Sequence, residues 1–230
     1  MKGLISIRHC GLLVSLGAAM LVCVRVLGAE PPEVTEDGLQ LHKQTKQRLV
    51  YLRPGATFSN YQRVAILDCY VEFQKDWQRR YNADQRTLDR RVSDRDVQRM
   101  KDGLAAECKK AFTHELQKNG GYQVVDTQAA DVLVLRPALV NVVVTAPDLM
   151  SANMSATVVR SAGQMTLLLE LWDPGSNTIL ARVLDAQADE GIGRMANRVT
   201  NTAAAQDILR AWAQELRKRL DAVRAKESSS

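Results

Sequence analysis

The segment RVAILDCYVEF (residues 63–73) decides the fold. It is rich in β-branched and aromatic residues and is apolar on both faces, a pattern typical of a buried strand. The polar stretch that follows, 74–91, is expected to be irregular. Ser93 then stands as a helix N-cap with Asp96 three positions later, which is a capping-box pair. The strand and the helix start together predict a sheet with a helix packed on it.

Two amphipathic helices are predicted, one after Ser93 and one near the end of the chain after Thr202. Apolar residues recur in both at a spacing of three and four, so one stripe of each should face a core. NGGY (119–122) has the composition of a helix C-cap and should end the first helix. The stripes are Val97, Met100, Leu104, Cys108, Phe112 and Leu116 in the first helix, and Ile208, Leu209, Trp212, Leu216, Leu220 and Val223 in the second.

Further strands are predicted at 122–126, 130–146, 164–172 and 178–189. Pro137 predicts a bulge, an edge position or a break in the second of these. DPGSN (173–177) is a strong turn signal between the last two. In the strand 164–172, one face should be buried and the other, called the half-wet face, should be partly exposed to solvent. The buried face is Met165, Leu167, Leu169 and Leu171, and the half-wet face is Thr166, Leu168, Glu170 and Trp172.

The order β-α-β-β-β-β-α predicts an α+β fold, with two long amphipathic helices on one face of a four- to five-stranded, mostly antiparallel sheet. We expect a signal peptide over 1–29, an N-terminal strap over 30–60, a single α+β domain over 61–225 and a disordered tail over 226–230.

The leader indicates export. Lys2 and Arg8 precede an apolar run, 11–24, which is shorter than the roughly 20 residues of a membrane span and fits a signal peptide. Cleavage after Ala29 is favoured. Two alternatives stay open: acylation at Cys23, which Val22 disfavours because a small residue belongs before the cysteine, and an uncleaved anchor. Membrane contact is expected only in these two cases.

Charge and cysteine content both change once the leader is removed. The full chain has 31 basic and 26 acidic residues, and three of the basic ones lie in 1–29. The remaining excess is small, so no nucleic acid partner is expected. Of the four cysteines, Cys69 and Cys108 remain. In an oxidising compartment they are a disulfide candidate, provided that Cys69 points to the helix side; the alternative is two separate buried thiols.

Catalytic and cofactor patterns are weak throughout. GIGRMA (191–196) fits a dinucleotide fingerprint formally but lacks the strand and helix context. His42 and His114 have no metal-ligand spacing, and no G-x-S-x-G elbow occurs. Asp68 and Glu72 could do acid–base work but more often lie at a strand end. No catalytic residue, metal site or cofactor is therefore predicted, and the protein is not expected to be an enzyme.

Two surfaces could bind partners. The arginines between positions 79 and 99 could meet phosphates, but interleaved aspartates favour a mixed, solvated face. The stretch LRPGATFSNY (52–61) is rich in residues typical of interface cores, although its aromatics could instead pin a strap to the sheet. The interaction candidates are Tyr51, Arg53, Phe58, Tyr61, Trp77 and Trp172.

The segments 38–77, 130–142, 161–187 and 211–223 together resemble a bacterial family catalogued as domain of unknown function 3313. That family comprises small envelope proteins, many of them predicted lipoproteins, so the resemblance implies an envelope location. It implies no reaction, cofactor or catalytic residue.

The function expected from these observations is that of a non-catalytic, exported cell-envelope module in the periplasm or envelope. Its partner would be another envelope protein or a cell-wall component. Two alternatives remain: a periplasmic carrier of small molecules or amphiphiles, which needs an apolar cavity of several hundred Å³, and a hydrolase with an unrecognised site, which needs a polar cleft with perturbed pKa values.

Overall fold

The computed structural model describes residues 30–127, 129–144, 157–158, 163–188, 195–196 and 198–227. The leader, with Cys23 and the expected cleavage point after Ala29, lies outside the described residues, as does most of GIGRMA. Within the described ranges, none of the helices combines the length and the apolar composition needed to cross a bilayer.

The described elements are ten strands, three α-helices and a short 3₁₀ turn at Leu88–Arg90. The helices are α1 (Trp77–Ala83), α2 (Asp94–Gln117) and α3 (Arg198–Glu227). The strands are β1 (Gln40–Gln44), β2 (Arg48–Leu52), β3 (Arg63–Ile66), β4 (Tyr70–Phe73), β5 (Gln123–Val124), β6 (Val132–Val144), β7 (Thr157–Val158), β8 (Gly163–Asp173), β9 (Thr178–Ala188) and β10 (Met195–Ala196).

The main sheet has eight strands, in the order β1-β2-β9-β8-β6-β3-β5, with β4 also paired to β6. The α+β class and the mostly antiparallel pairing are confirmed, but the prediction of four to five strands is wrong. Part of the expected strap forms the hairpin β1–β2, which pairs antiparallel with β9. Strand β1 was missed because four of its five side chains are exposed, so it lacks an alternating apolar pattern. The segment 63–73 also divides into β3 and β4 rather than forming one strand.

Pro137 explains that division. Strand β6 runs through the proline without a break and pairs with β8 there. The Leu135 carbonyl accepts a hydrogen bond from Leu67 N–H. Residues two apart in a strand direct their backbone groups to the same side. Pro137 therefore lacks its N–H on the edge of β6 that faces β3 and β4. Strand β3 ends before this point and β4 begins pairing at Ala138. The predicted irregularity therefore falls in the neighbouring strand.

The bulge expected at Pro137 lies instead at Asn141. This residue has a φ of 54°, and the registers of β6 with β4 and with β8 both shift around it. A left-handed residue in a strand is typical of a bulge, and asparagine tolerates that conformation better than most residues.

Helices α2 and α3 bury their stripes on one face of the sheet, which we call the inner face. Ser93 caps α2 in a capping box with Asp96, as predicted. Helix α3 begins at Arg198, so the N-cap prediction at Thr202 is wrong, and it runs to Glu227, into the predicted tail. The inner core joins Cys108, Phe112 and Leu116 of α2, Leu209, Trp212, Leu216 and Leu220 of α3, and Met165, Leu167, Leu169 and Leu171 of β8.

The segment predicted to be irregular contains α1. Its residue Trp77 is buried and donates its indole N–H to the Val144 carbonyl at 3.2 Å. Ring centroids of Phe73 and Trp77 are 4.5 Å apart, and those of Trp77 and Tyr81 are 5.7 Å apart. Trp77 therefore holds this helix to the end of β6 through its indole and to β4 through the ring of Phe73.

Substitutions at Asn141 test the bulge. We expect Asn141→Val to lower the free energy of unfolding by about 1–2 kcal/mol, because a β-branched residue is strained at positive φ. Asn141→Gly is the matched control and should change stability by less than about 0.5 kcal/mol, since glycine adopts this conformation freely. Urea denaturation measures both, and equal losses for the two variants would contradict the bulge.

Candidate functional site

The candidate site is the face of the sheet opposite the helices, which we call the outer face. The smaller apolar clusters on this face centre on Leu39, Tyr51 and Ile179 and on Ala65, Val132 and Val134. Within the described part of the chain, neither cluster includes a helical residue. Leu168, Glu170 and Trp172 lie on this face, as predicted for the half-wet side of β8, and Leu168 and Trp172 are partly exposed.

A row of apolar side chains crosses four strands of the outer face. Leu49 of β2 pairs with Leu184 of β9, which pairs with Leu168 of β8, which pairs with Ala138 of β6. All four are partly exposed. We call these residues the leucine row. Facing neighbours on adjacent strands have Cβ atoms about 5 Å apart, so the row is continuous.

A charged row runs parallel to the leucine row, two residues along each strand. It passes from Tyr51 through Arg182 and Glu170 to Arg136 in the same four strands. Arg182 Nη2 lies 2.8 Å from Glu170 Oε1, and Arg136 Nη1 lies 3.7 Å from Glu170 Oε2. Glu170 is 9% exposed, so its two cationic neighbours compensate a largely desolvated charge.

Trp172 joins this charged row. Its indole N–H donates to Glu170 Oε2 at 3.0 Å, and the Arg136 guanidinium lies 5.0 Å from the centre of its ring. The side chain of Arg136 is 42% exposed. The stacked pair therefore offers an aromatic ring and a cation that solvent or a partner can reach.

The N-terminal segment is fastened to the outer face through Asp37. Arg182 Nη2 lies 2.5 Å from Asp37 Oδ2, and the Thr35 hydroxyl donates to Asp37 Oδ1. Burial would raise the pKa of Asp37, but hydrogen bonds from Thr35 and Arg182 outweigh it and lower the pKa below its ordinary value of 3.8. Arg53 strengthens the attachment by donating to the carbonyls of Ile179 at 2.6 Å and Asp37 at 3.1 Å.

On the outer face, the pKa values of Arg182 and Tyr51 both shift further from neutral pH. Burial lowers the pKa of Arg182, but hydrogen bonds to Asp37 and Glu170 more than offset this and raise it. Burial raises the pKa of Tyr51 against the opposing charge of Arg182.

Four of the six interaction candidates are buried. Tyr51, Phe58, Tyr61 and Trp77 are at most 8% exposed, so the structure corrects the idea that they present a docking surface. They fit the alternative, in which aromatics pin the strap. Tyr61 illustrates this, because burial together with the charge and hydrogen bond of Asp173 raises its pKa to about 12. The other two candidates, Arg53 and Trp172, are partly exposed.

Cys69 and Cys108 are brought together as free, buried thiols. The hydrogen bond with Cys69 is the main cause that raises the pKa of Cys108, and burial adds to it. The structure thus has Cys69 on the helix side, as the bridge requires. A disulfide between them stays a prediction.

The acids and histidines considered for catalysis do not converge. Asp68 pairs with Lys109 at 2.9 Å, Glu72 accepts from the Tyr70 hydroxyl at 3.2 Å, and His114 lies 3.2 Å from buried Glu115. No cluster of three or more potential metal ligands occurs among the described residues.

The described part of the chain offers two candidate cavities. The larger, of about 430 Å³, is open to solvent, and its lining is entirely polar or charged: Glu115, Lys118, Asn119, Gln214, Arg217, Lys218 and Asp221. The smaller, of about 280 Å³, is lined by Arg48, Gln187, Asp207, Ile208, Ala211 and Trp212. Its volume lies below the usual range for small-molecule sites, about 300–1,000 Å³, and half of its lining is polar or charged.

Asp37 provides a test of how the N-terminal segment is held. Its folded pKa is depressed, so its stabilisation is present above the unfolded pKa and is lost as the pH falls through the folded value. We expect Asp37→Asn to lower the free energy of unfolding by about 1 kcal/mol at pH 7, discounted for partial solvent screening, and by much less at pH 3.

The matched control is Asp207→Asn, whose partner Arg210 lies 3.3 Å away in an exposed pair. Surface pairs of this kind contribute little, so a change below about 0.5 kcal/mol is expected at both pH values. Urea unfolding at the two pH values measures both variants. A pH-independent loss for Asp37→Asn would contradict the account.

Comparison with solved structures gives distant likenesses, three of which follow. The PelC dodecamer from Paraburkholderia phytofirmans has a TM-score of 0.36 at 9% identity, covering 74% of this chain and 97% of that one. Protein XCC0632 of family DUF330 from Xanthomonas campestris has a TM-score of 0.40 at 12% identity, with coverages of 74% and 89%. A putative neuraminyllactose-binding hemagglutinin homolog from Helicobacter pylori has a TM-score of 0.35 at 14% identity, with coverages of 84% and 99%.

Comparison of the sequence with curated proteins gave no match. The profile of the family described as "Protein of unknown function (DUF3313)" matches residues 34–216. This range includes both rows of the outer face and all but the end of α3. The chain therefore belongs to the DUF3313 family.

Proposed function

We propose that this protein is a non-catalytic, exported cell-envelope module that binds another envelope protein or a cell-wall component through the outer face of its sheet. The observation that carries the proposal is the leucine row, which the helices of the described chain leave uncovered. The leader in 1–29 supports export, with cleavage after Ala29.

The leucine row supports a partner with apolar surface. Three aligned leucines and Ala138 remain partly exposed on a sheet face. Contiguous apolar surface on a soluble protein commonly marks an interaction site, whereas a single exposed apolar residue does not do so by itself. A protein partner fits this row better than a polysaccharide does, because burial of apolar area contributes most of the free energy of protein association.

The charged row supports a partner that is selected and oriented by charge. Arg182 and Glu170 form a fixed ion pair, while Arg136 is exposed enough to accept a further anionic or carbonyl partner beside Trp172. Charges at the rim of an apolar patch mainly select partners and orient them, and contribute less to raw affinity. A face with an apolar row beside a polar row is therefore suited to one orientation of docking.

The two alternative functions have less support. A carrier needs an apolar cavity. The cavity beside Arg48 is small and half polar, and the larger one beside Glu115 is lined by polar and charged residues. A hydrolase needs a cleft with perturbed acids or a nucleophile, and Asp68, Glu72 and His114 are engaged separately at the surface. Binding to an envelope partner is consistent with all of these observations.

Photocrosslinking in the native host tests the proposal. A photoreactive phenylalanine analogue is placed at Leu184 in the leucine row and, as a control, at Lys110, which is exposed on α2. We expect one discrete crosslinked band from position 184 that is absent from position 110. Leu168→Gln introduced into the position-184 protein should weaken that band at least about fivefold, because a buried leucine contributes about 1.5–3 kcal/mol.

The controls separate docking from misfolding. Thr166→Gln alters a partly exposed residue of the same strand outside the leucine row and should leave the band unchanged. Equal crosslinking from positions 184 and 110, or no crosslink from 184 in cells that express the folded protein, would contradict the proposal.

A further inference from the structure

A protruding loop between α1 and α2 is held closed at its base. The Asn82 side chain donates to the Val92 carbonyl at 2.8 Å and accepts from Val92 N–H at 2.7 Å. Gln78 also donates to the Val92 carbonyl at 3.1 Å, and Val92 is buried. The residues between these anchors, 84–91, therefore form a compact loop with adjoining ends, which we call the arginine loop. Loops of this kind are frequently functional.

Three arginines of this loop make no hydrogen bond or ion pair with the described side chains, which do not include that of Asp89. They are Arg86, Arg90 and Arg91, and all three are exposed. Arg95, in the first turn of α2, is exposed and equally unpaired there. A cation in the first turn of a helix opposes the helix dipole, so its position does not serve the stability of α2.

The neighbouring arginines behave differently. Arg79 pairs with Asp76 at 3.1 Å, and Arg99 pairs with Asp96. The mixed, solvated face predicted from the sequence therefore describes the flanks of this region, while the arginine loop presents cations without local compensation from described side chains.

Outside the leader, the net positive charge of the chain lies in this region. Residues 75–102 hold nine basic and six acidic side chains, whereas the rest of 30–230 holds 19 basic and 20 acidic ones. Asp84 and Asp89 lie within the arginine loop, so the excess of positive over negative charge in the loop is small. Its attraction for anions therefore also depends on the basic residues on either side of the loop.

Leu88 stands at the centre of the arginine loop and is 78% exposed, more than any other large apolar residue of the described chain. It begins the 3₁₀ turn Leu88–Arg90, which places arginines on both sides of it. Solvent exposure of a leucine costs free energy, and neither a nucleic acid nor a free phosphate would bury it. A bilayer surface offers both headgroup phosphates for the arginines and an apolar layer for the leucine.

We infer that the arginine loop binds the surface of an anionic phospholipid bilayer, with Leu88 inserted between the headgroups. This contact is independent of the outer face and of acylation at Cys23. It would give the chain a second, reversible attachment point while the outer face binds its partner.

A fluorophore in the loop tests the inference on the full chain. Nitrobenzoxadiazole is attached at Thr87→Cys, which leaves Leu88 in place, and emission is followed during titration with vesicles. We expect a blue shift with vesicles of 70% phosphatidylcholine and 30% phosphatidylglycerol, and none with phosphatidylcholine alone. The same label at Ser176→Cys, an exposed turn position, should not respond, and this excludes attachment through the leader.

Paired variants identify the contacts. In the Thr87→Cys background, Arg86→Gln with Arg90→Gln should weaken partitioning about 30-fold, from the contribution of each arginine at an anionic surface. Lys43→Gln with Lys46→Gln removes the same charge from exposed positions elsewhere and should have little effect. Leu88→Ser should weaken partitioning about tenfold without abolishing the dependence on phosphatidylglycerol.

Three results would overturn the inference. The first is that the label at position 87 shows no blue shift with anionic vesicles. The second is an equal loss for the two pairs of substitutions. The third is a blue shift produced by glycerol phosphate or an acidic protein but not by vesicles, which would assign the loop to a soluble anion or to a protein partner.

Discussion

The structure depends on two helices that bury their apolar stripes on the same face of one sheet. Phe112 and Leu116 of α2 and Leu209 of α3 are fully buried in the same apolar core as Leu167 and Leu169 of β8. Each such side chain stabilises the fold by about 1.5–3 kcal/mol relative to an exposed one. Because both helices lie on the inner face, the described part of the outer face is left to strands, loops and the N-terminal segment.

This one-sided packing gives the outer face its character. A sheet face without a helix must be solvated, covered by other segments or used as an interface. Near the charged row it is covered by residues that Arg53 and Asp37 fasten in place. Along the leucine row it stays partly exposed. The ion pair between Arg182 and Glu170 holds both side chains in place, so a partner would meet a face that is already organised.

Much of this arrangement follows from local sequence signals. The capping box at Ser93, the stripe through Cys108 and Phe112, and the alternation through Leu167 and Glu170 predict the helix, the core and the two faces of β8. These signals suffice because a helix stripe and a strand alternation are each set by neighbours in the chain.

The rest depends on partners distant in sequence. Strand β1 is polar and is a strand only because β2 pairs with it, and the leucine row exists only because β2 lies beside β9. For that reason Leu49 and Asp37 were not candidates from the sequence, whereas Tyr51 and Phe58 were and proved to be buried. Aromatic content indicates that a segment packs, but it does not distinguish packing within the chain from packing on a partner.

The most direct test of the account is hydroxyl-radical footprinting of the outer face, compared between the purified protein and the intact envelope of its native host. The account predicts that Leu168 and Leu184 are oxidised in the purified protein and protected in the envelope, while Tyr70, an exposed residue at the edge of the sheet, is oxidised in both. Equal oxidation of the two leucines in both states would contradict the claim that the outer face is a docking surface.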